Sequence, residues 1–249
     1  MTGTAPIPQV VIVAGGLGTR LARQTGGRPK AMVSVNGRPF LGHVLDWLAG
    51  QDVRRVHFCL GYRAEQIRDF LDARVSGYPS LTFTTTVEPE PLGTAGCLRA
   101  AGALVEEEFV LLLGDTYTPI ELGAAMGRWR EGGHEAAMCV LHNRDRLVPS
   151  NVGVRDGLVN RYDKQAPPGT LQHVDYGIAF LRRASLGRLP DGDPADLADL
   201  FHSLIADSAL AALEVGQRFY EIGSEAGYAE FCALVAEGLL PAEVKAGSW

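Results

Sequence analysis

The chain has 249 residues, 46% of them hydrophobic and 21% charged, with a formal net charge of −6 at pH 7. That composition suits a globular protein with a full core, and its acidity excludes nucleic acid and an anionic membrane as main partners, because either rewards a basic surface. No apolar run reaches the roughly 18 residues of a membrane span, and no basic-then-apolar leader opens the chain, so the expected location is the cytoplasm.

In chain order, apolar runs at 9–14, 54–60, 81–87, 109–113 and 135–142 read as strands separated by segments of helical period. In the first of these segments Phe40, Leu41, Val44, Leu45 and Leu48 keep the spacing of a sheet-facing stripe, and Gly50 falls at the expected C-cap. Alternation of strand and helix predicts an α/β fold, Rossmann-like, with a mostly parallel sheet and helices on both faces. Ligands then gather at the carboxyl ends of the strands, where Gly15-Gly16 and Gly114-Asp115 would share one crevice. After residue 145 the pattern changes to short strands, Val152–Val154, Leu158–Tyr162 and Val174–Leu181, with Pro167-Pro168-Gly169 as a turn. Residues 194–209 and 225–237 read as helices. The expectation is a single domain over 1–249, with halves at 1–145 and 146–249. The cysteines Cys59, Cys97, Cys139 and Cys232 form no C-x-x-C pair, and three lie in apolar runs, which predicts buried thiols rather than zinc or disulfides. The histidines lack metal spacing, and Ser150 and Ser224 lack a nucleophile elbow.

The most informative stretch is Val11-Ile-Val-Ala-Gly-Gly-Leu-Gly-Thr-Arg20, followed by Pro29-Lys30. A β-branched strand stopping at glycines is how a strand becomes a phosphate-binding turn, since backbone N–H groups then converge on an anion with no Cβ in the way. A dinucleotide fingerprint would need a third glycine where Leu21 stands, and a P-loop would need Lys-Ser/Thr after Gly18. The pattern G-G-x-G-T-R-L with Pro-Lys instead resembles the sugar-1-phosphate nucleotidyltransferases, or NDP-sugar pyrophosphorylases. Gly37-Arg-Pro-Phe-Leu41, Gly61-Tyr62 and the Tyr220-Glu-Ile-Gly223 ending make the chain most similar to the D-glycero-D-manno-heptose 1-phosphate guanylyltransferases among them.

This resemblance implies the nucleotide-diphospho-sugar transferase type of fold, with residues after 145 forming an inserted sugar-binding β region. It implies condensation of an NTP with a sugar 1-phosphate, releasing pyrophosphate, with Mg²⁺ as cofactor. Gly15, Gly16, Gly18 and Thr19 would cradle the nucleotide, Arg20 would lie along the triphosphate, and Lys30 would stand near the reacting α-phosphate. Phe109-Val-Leu-Leu-Leu-Gly-Asp115 is a buried strand ending in a hard carboxylate. Asp115 would hold the metal, the other reading being a helix N-cap before Pro119. Its partner would be Glu221, where the family usually has aspartate. Arg161-Tyr-Asp163-Lys164 resembles the family's Glu-Lys-Pro segment, with Lys164 on the sugar phosphate and Asp163 on a sugar hydroxyl. Gly153 matches a glycine that lets backbone touch the sugar. Tyr176, in Val174-Asp175-Tyr176-Gly177, either shapes the sugar pocket or fills the core.

In the loop Glu88-Pro-Glu90-Pro91-Leu-Gly93, the glycine would back the nucleobase and Glu88 would read its edge. One carboxylate accepts both N1–H and N2–H of guanine, whereas uracil or thymine offers only N3–H, which favours GTP, and the resemblance to the heptose guanylyltransferases implies heptose 1-phosphate as the favoured sugar phosphate. Glucose-1-phosphate thymidylyl- or uridylyltransfer and mannose-1-phosphate guanylyltransfer are the alternatives, and a homo-oligomer is left open. A silent regulatory relative would be expected to lose Arg20, Lys30 or Asp115, and a glycosyltransferase would need Asp-x-Asp where Asp115-Thr116-Tyr117 has one aspartate.

Overall fold

The computed structural model describes residues 7–16, 26–189 and 194–240. Its strands in chain order are β1 (Val10–Val13), β2 (Ser34–Val35), β3 (Arg38–Pro39), β4 (Arg55–Leu60), β5 (Thr82–Val87), β6 (Glu108–Leu113) and β7 (Thr116–Tyr117). They continue as β8 (Ala136–His142), β9 (Val152–Arg155), β10 (Leu158–Tyr162), β11 (His173–Arg182), β12 (Leu210–Val215) and β13 (Tyr220–Glu221). The helices are α1 (Phe40–Ala49), α2 (Ala64–Arg74), α3 (Gly93–Ala101), α4 (Leu122–Gly132), α5 (Leu197–Ala206) and α6 (Glu225–Ala236). Gly50 caps α1 as its position predicts.

Among the described residues the main sheet has nine strands in the order β5-β4-β1-β6-β11-β8-β12-β10-β9. The expectation of a mostly parallel sheet is corrected. Four neighbouring pairs are parallel (β5-β4, β4-β1, β1-β6 and β8-β12), but β11 runs antiparallel to both β6 and β8, and β10 runs antiparallel to β12 and β9. For β9 and β10 the connection decides it, because a parallel return needs a crossover of a dozen residues or more and these strands are joined directly. Between β9 and β10 the chain turns on Asp156-Gly157, both at positive φ (52° and 77°), the left-handed pair that suits a two-residue hairpin. His173 pairs with His142 of β8 and with Val152 of β9, so strands β11, β8, β12, β10 and β9 close on one another in a partly barrel-like arrangement.

The sheet is apolar on both faces. Val10 and Ile12 of β1 and Val110 and Leu112 of β6 pack with α1, α2, α4 and α6, while Val11, Phe109 and Leu111 pack with α3 and α5. This is the alternation of neighbouring side chains to opposite faces, with hydrophobic cover on each. Cys59, Cys97 and Cys139 are buried in these layers and Cys232 is partly buried.

A two-stranded ribbon stands beside the sheet, where β7 pairs antiparallel with β13 and sets Thr116 opposite Glu221. Phe231 of α6 holds it down, fully buried, with ring centroids 5.5 Å from Tyr117, 6.4 Å from Tyr220 and 5.0 Å from Phe40. Phe231→Ala is expected to cost about 3–5 kcal/mol, the usual penalty for deleting a buried aromatic ring. Urea denaturation checks this, and a loss below about 1 kcal/mol would show that the ribbon is held elsewhere.

Candidate active site

Strands β1, β4 and β6 end together. Val13 lies opposite Cys59 and Leu113, and the chain then continues as Ala14-Gly15, Leu60-Gly61 and Gly114-Asp115. Gly15 and Gly16 line a cleft of about 430 Å³ with Gly61, Tyr62, Glu88 and Gly93, so the structure brings these nucleotide candidates to one place. Gly18, Thr19 and Arg20 lie outside the described residues.

Gly93 is held by two constraints. Its φ is +80°, and a Cβ there would collide with the backbone carbonyl of Ala195. That carbonyl accepts hydrogen bonds from Ala95 N (2.9 Å) and Gly96 N (3.2 Å), while Ala195 N donates to Leu92 O (2.9 Å). Glu88 accepts from Leu92 N at 3.0 Å.

Lys30 comes from a short 3₁₀ turn, Lys30–Met32, set up by the extended Pro29. Its Nζ lies 2.6 Å from Asp115 Oδ2, and the two side chains are 16% and 33% exposed. Losing either partner would leave the other largely desolvated and unpaired. Asp115 does not cap a helix, because the N-cap of α4 is Glu121, six residues later. The β7–β13 ribbon and a bond from Ile222 N to Asp115 O (3.0 Å) carry Glu221 and Gly223 to the same spot. A Cβ on Gly223 would lie 3.2 Å from Lys30 Nζ and 3.7 Å from Asp115 Oδ2. The Glu221 carboxylate turns onto the start of α6, accepting from Gly223 N, Ser224 N (3.0 Å) and Ser224 Oγ (2.5 Å). Asp115 and Glu221 are hard oxygen donors on adjoining backbone, a donor set that fits Mg²⁺. Among the described residues no group of three or more His, Cys, Asp or Glu side chains is arranged to hold a metal by itself.

The sugar-side candidates lie on β9 (Gly153), just past the end of β10 (Asp163 and Lys164) and on β11 (Tyr176). Lys164 is exposed, 3.4 Å from Asp196 Oδ1 and 5.8 Å above the Tyr162 ring. Asp163 accepts from Arg161 (2.8 Å) and from Gln165 N (2.9 Å), and these bonds, with Arg161 foremost, hold its carboxyl below the usual range. Gly153 is explained by packing in the β9–β10 hairpin, since a Cβ there would sit 2.7 Å from Asn160 Oδ1 and 3.2 Å from Arg161 Cβ. Tyr176 is fully buried against Phe219, centroids 5.6 Å apart, in the core layer of α1, α4 and α6.

Its neighbour Asp175 is a residue that sequence reasoning passed over. With Tyr162, Lys164, Thr94 and Gly177 it lines a small cavity of about 100 Å³ behind the nucleotide cleft. Its carboxylate accepts from Gly177 N (2.9 Å) and the Tyr162 hydroxyl (3.2 Å). Burial lifts its pKa above 3.8, outweighing these bonds and the nearby Lys164 charge. The available signal was period-two alternation, which sends 175 and 176 to opposite faces.

The folded chain therefore binds the Asp175 proton more tightly than the unfolded chain does. Stability from this group is present at acid pH and lost as pH rises from about 4 through the folded-state value. Asp175→Asn removes that loss, so its stability relative to wild type should climb with pH across this window. Urea melts at several pH values test this, and a pH-independent difference would contradict it.

The chain belongs to the MobA-like NTP transferase family, whose domain matches residues 10–218. It is 30% identical over 156 residues to the D-glycero-alpha-D-manno-heptose 1-phosphate guanylyltransferase of Campylobacter jejuni, covering 63% of this chain and 68% of that one. It is 35% identical over 132 residues to the UTP--glucose-1-phosphate uridylyltransferase AglF of Haloferax volcanii, covering 53% of each. The chain thus spans about half the length of the second relative. Among solved structures, HddC from Yersinia pseudotuberculosis complexed with GMP-PN superimposes with a TM-score of 0.73 at 26% identity, covering 91% of this chain and 99% of that one. The fold is the α/β nucleotide-diphospho-sugar transferase fold with a mixed sheet, and the chain is a nucleotidyltransferase by family. Among the described residues no helix is long and apolar enough to cross a membrane.

Proposed function

We propose that the protein condenses GTP with a sugar 1-phosphate, heptose 1-phosphate foremost, to give the GDP-sugar and pyrophosphate in the cytoplasm. The observation that carries this reading is the Lys30–Asp115 pair at the end of β6, the strand beside β1, whose own end runs into the Gly15–Gly16 cleft that Glu88 also lines. The heptose guanylyltransferase relative supports the sugar and the base together.

The sugar phosphate oxygen attacks the α-phosphorus in line and pyrophosphate departs, so the protein supplies alignment and charge rather than covalent chemistry. Gly15 and Gly16 receive the phosphates on backbone N–H groups, and Lys30 stabilises charge that grows on the α-phosphate. Lys164 holds the phosphate of the sugar, with Asp163 beside it on a sugar hydroxyl. Asp115 and Glu221 would hold Mg²⁺, which supplies positive charge to the triphosphate oxygens. Glu88 accepts the paired donors of guanine.

Pyrophosphate release, read for five NTPs against several sugar 1-phosphates, tests the whole reading. GTP with heptose 1-phosphate should give the highest kcat/KM. A preference for UTP or dTTP, as the Haloferax relative's name suggests for that protein, would reject the base assignment and leave the reaction class standing. No pyrophosphate from any pair would reject the reaction.

The two lysines should fail differently. Lys30→Ala should lower kcat about 10²-fold with both substrates saturating, as loss of a transition-state charge contact does. Lys164→Ala should chiefly raise the KM for sugar phosphate, because its contact is made equally in ground and transition states. Matching kinetic signatures in the two variants would show their roles to be misassigned.

A further inference from the structure

Glu88 is fastened at both ends. Its backbone N–H donates to Leu60 O at 2.9 Å, and its Oε2 accepts from Leu92 N at 3.0 Å, so neither the residue nor its carboxylate swings freely. The other oxygen, Oε1, rests over two glycines. A Cβ built on Gly15 would lie 2.8 Å from it, and one built on Gly61 would lie inside contact distance. Neither glycine has a positive φ, so the backbone would accept alanine at both positions. A side chain at either position would first meet the Glu88 carboxylate, with Gly15 O at 3.0 Å the next contact for one on Gly61. All three residues line the cleft.

We propose that Gly61 is a positioning residue for nucleobase choice, acting only through Glu88: its missing side chain seats the carboxylate where one purine edge can donate to it twice. The proposal deepens the guanine reading above and rests on it. An ionised carboxylate with one oxygen bonded to a backbone N–H still has acceptor positions on both oxygens. A pair of donors from guanine needs both oxygens at a fixed height, so displacement by a methyl group breaks the pairing. A base with a single N3–H needs one oxygen and follows the displaced group.

A double-mutant cycle on the GTP:UTP ratio of kcat/KM, at one fixed sugar phosphate, separates this from a mere packing role. Gly61→Ala and Glu88→Gln should each lower the ratio about tenfold, the scale of a lost charge-assisted bond. In the double variant the ratio should be no lower than in the worse single variant, since Gly61 has nothing left to position. Losses that multiply in the double variant, or a Gly61→Ala enzyme slowed equally with both nucleotides, would overturn the proposal. Should melting curves show that Gly61→Ala fails to fold, Gly15→Ala approaches the same oxygen from β1 and must also lower the ratio, and an unchanged ratio there overturns it. A wild type that prefers UTP sinks the guanine reading and this proposal together, whereas a GTP preference retained in Gly61→Ala sinks this proposal alone.

Discussion

The site depends on one constraint: three parallel strands, hydrogen-bonded in register, end at the same level. Past Val13, Cys59 and Leu113 the ladder continues for a few residues, with Ala14 N bonded to Cys59 O (2.9 Å), Gly114 N to Val13 O (3.0 Å) and Tyr62 N to Gly15 O (3.3 Å). Backbones this close leave no space for side chains. A Cβ on Gly114 would lie 2.8 Å from Val13 O, and one on Gly61 would lie 3.0 Å from Gly15 O. None of Gly15, Gly61 and Gly114 has a positive φ, so space and not turn geometry selects them: neighbouring strand backbone at Gly61 and Gly114, and the Glu88 carboxylate at Gly15 and Gly61. The result is a floor made of peptide groups. Residues that carry charge, Lys30, Glu88 and Asp115, stand around that floor rather than on it.

The parts of the molecule that local sequence specifies were legible in it. The strand from Val10, the stripe of α1 and the Gly114-Asp115 strand end follow from periodicity and from glycine placement. Strand direction did not follow, because alternation reports which faces are buried and not which neighbour a strand joins; hence β11, predicted as a strand, enters the sheet antiparallel. β12 was hidden for a different reason. Leu210-Ala-Ala-Leu-Glu-Val215 is built largely of good helix formers, so nothing was assigned to it after the helix expected over 194–209, and in the structure Ser208 at φ 53° marks the break before it. At the site, Lys30, Asp115 and Glu88 sit in chain-local patterns. Asp175 and Ala195 do not, since the contacts that matter at each depend on where distant segments dock.

Charge is distributed by burial. In a chain of net charge −6 a polyanionic substrate must be met by a few local cations, and the two lysines differ in how they are held. Lys30 is 16% exposed and paired at 2.6 Å, so it is placed with little freedom, as the role proposed for it at the α-phosphate requires. Lys164 is 55% exposed with a partner 3.4 Å away, a contact that solvent screens and a substrate phosphate can replace.

The strip Ala195–Leu197 joins the two regions. Ala195 O takes the N–H groups of Ala95 and Gly96 at the start of α3, and Leu197 N donates to Thr94 Oγ1 at 2.9 Å. Asp196, one residue on, caps α5 through Ala198 N and pairs with Lys164. A helix start is ordinarily an anion site because its first N–H groups lack partners, but at α3 two of them are already satisfied from within the chain. The start of α3 therefore has two fewer free N–H groups to offer an anion. The loop that carries Gly93 is fixed to the same short strip as the lysine on the sugar side, so a displacement of Ala195 would disturb both substrate regions at once.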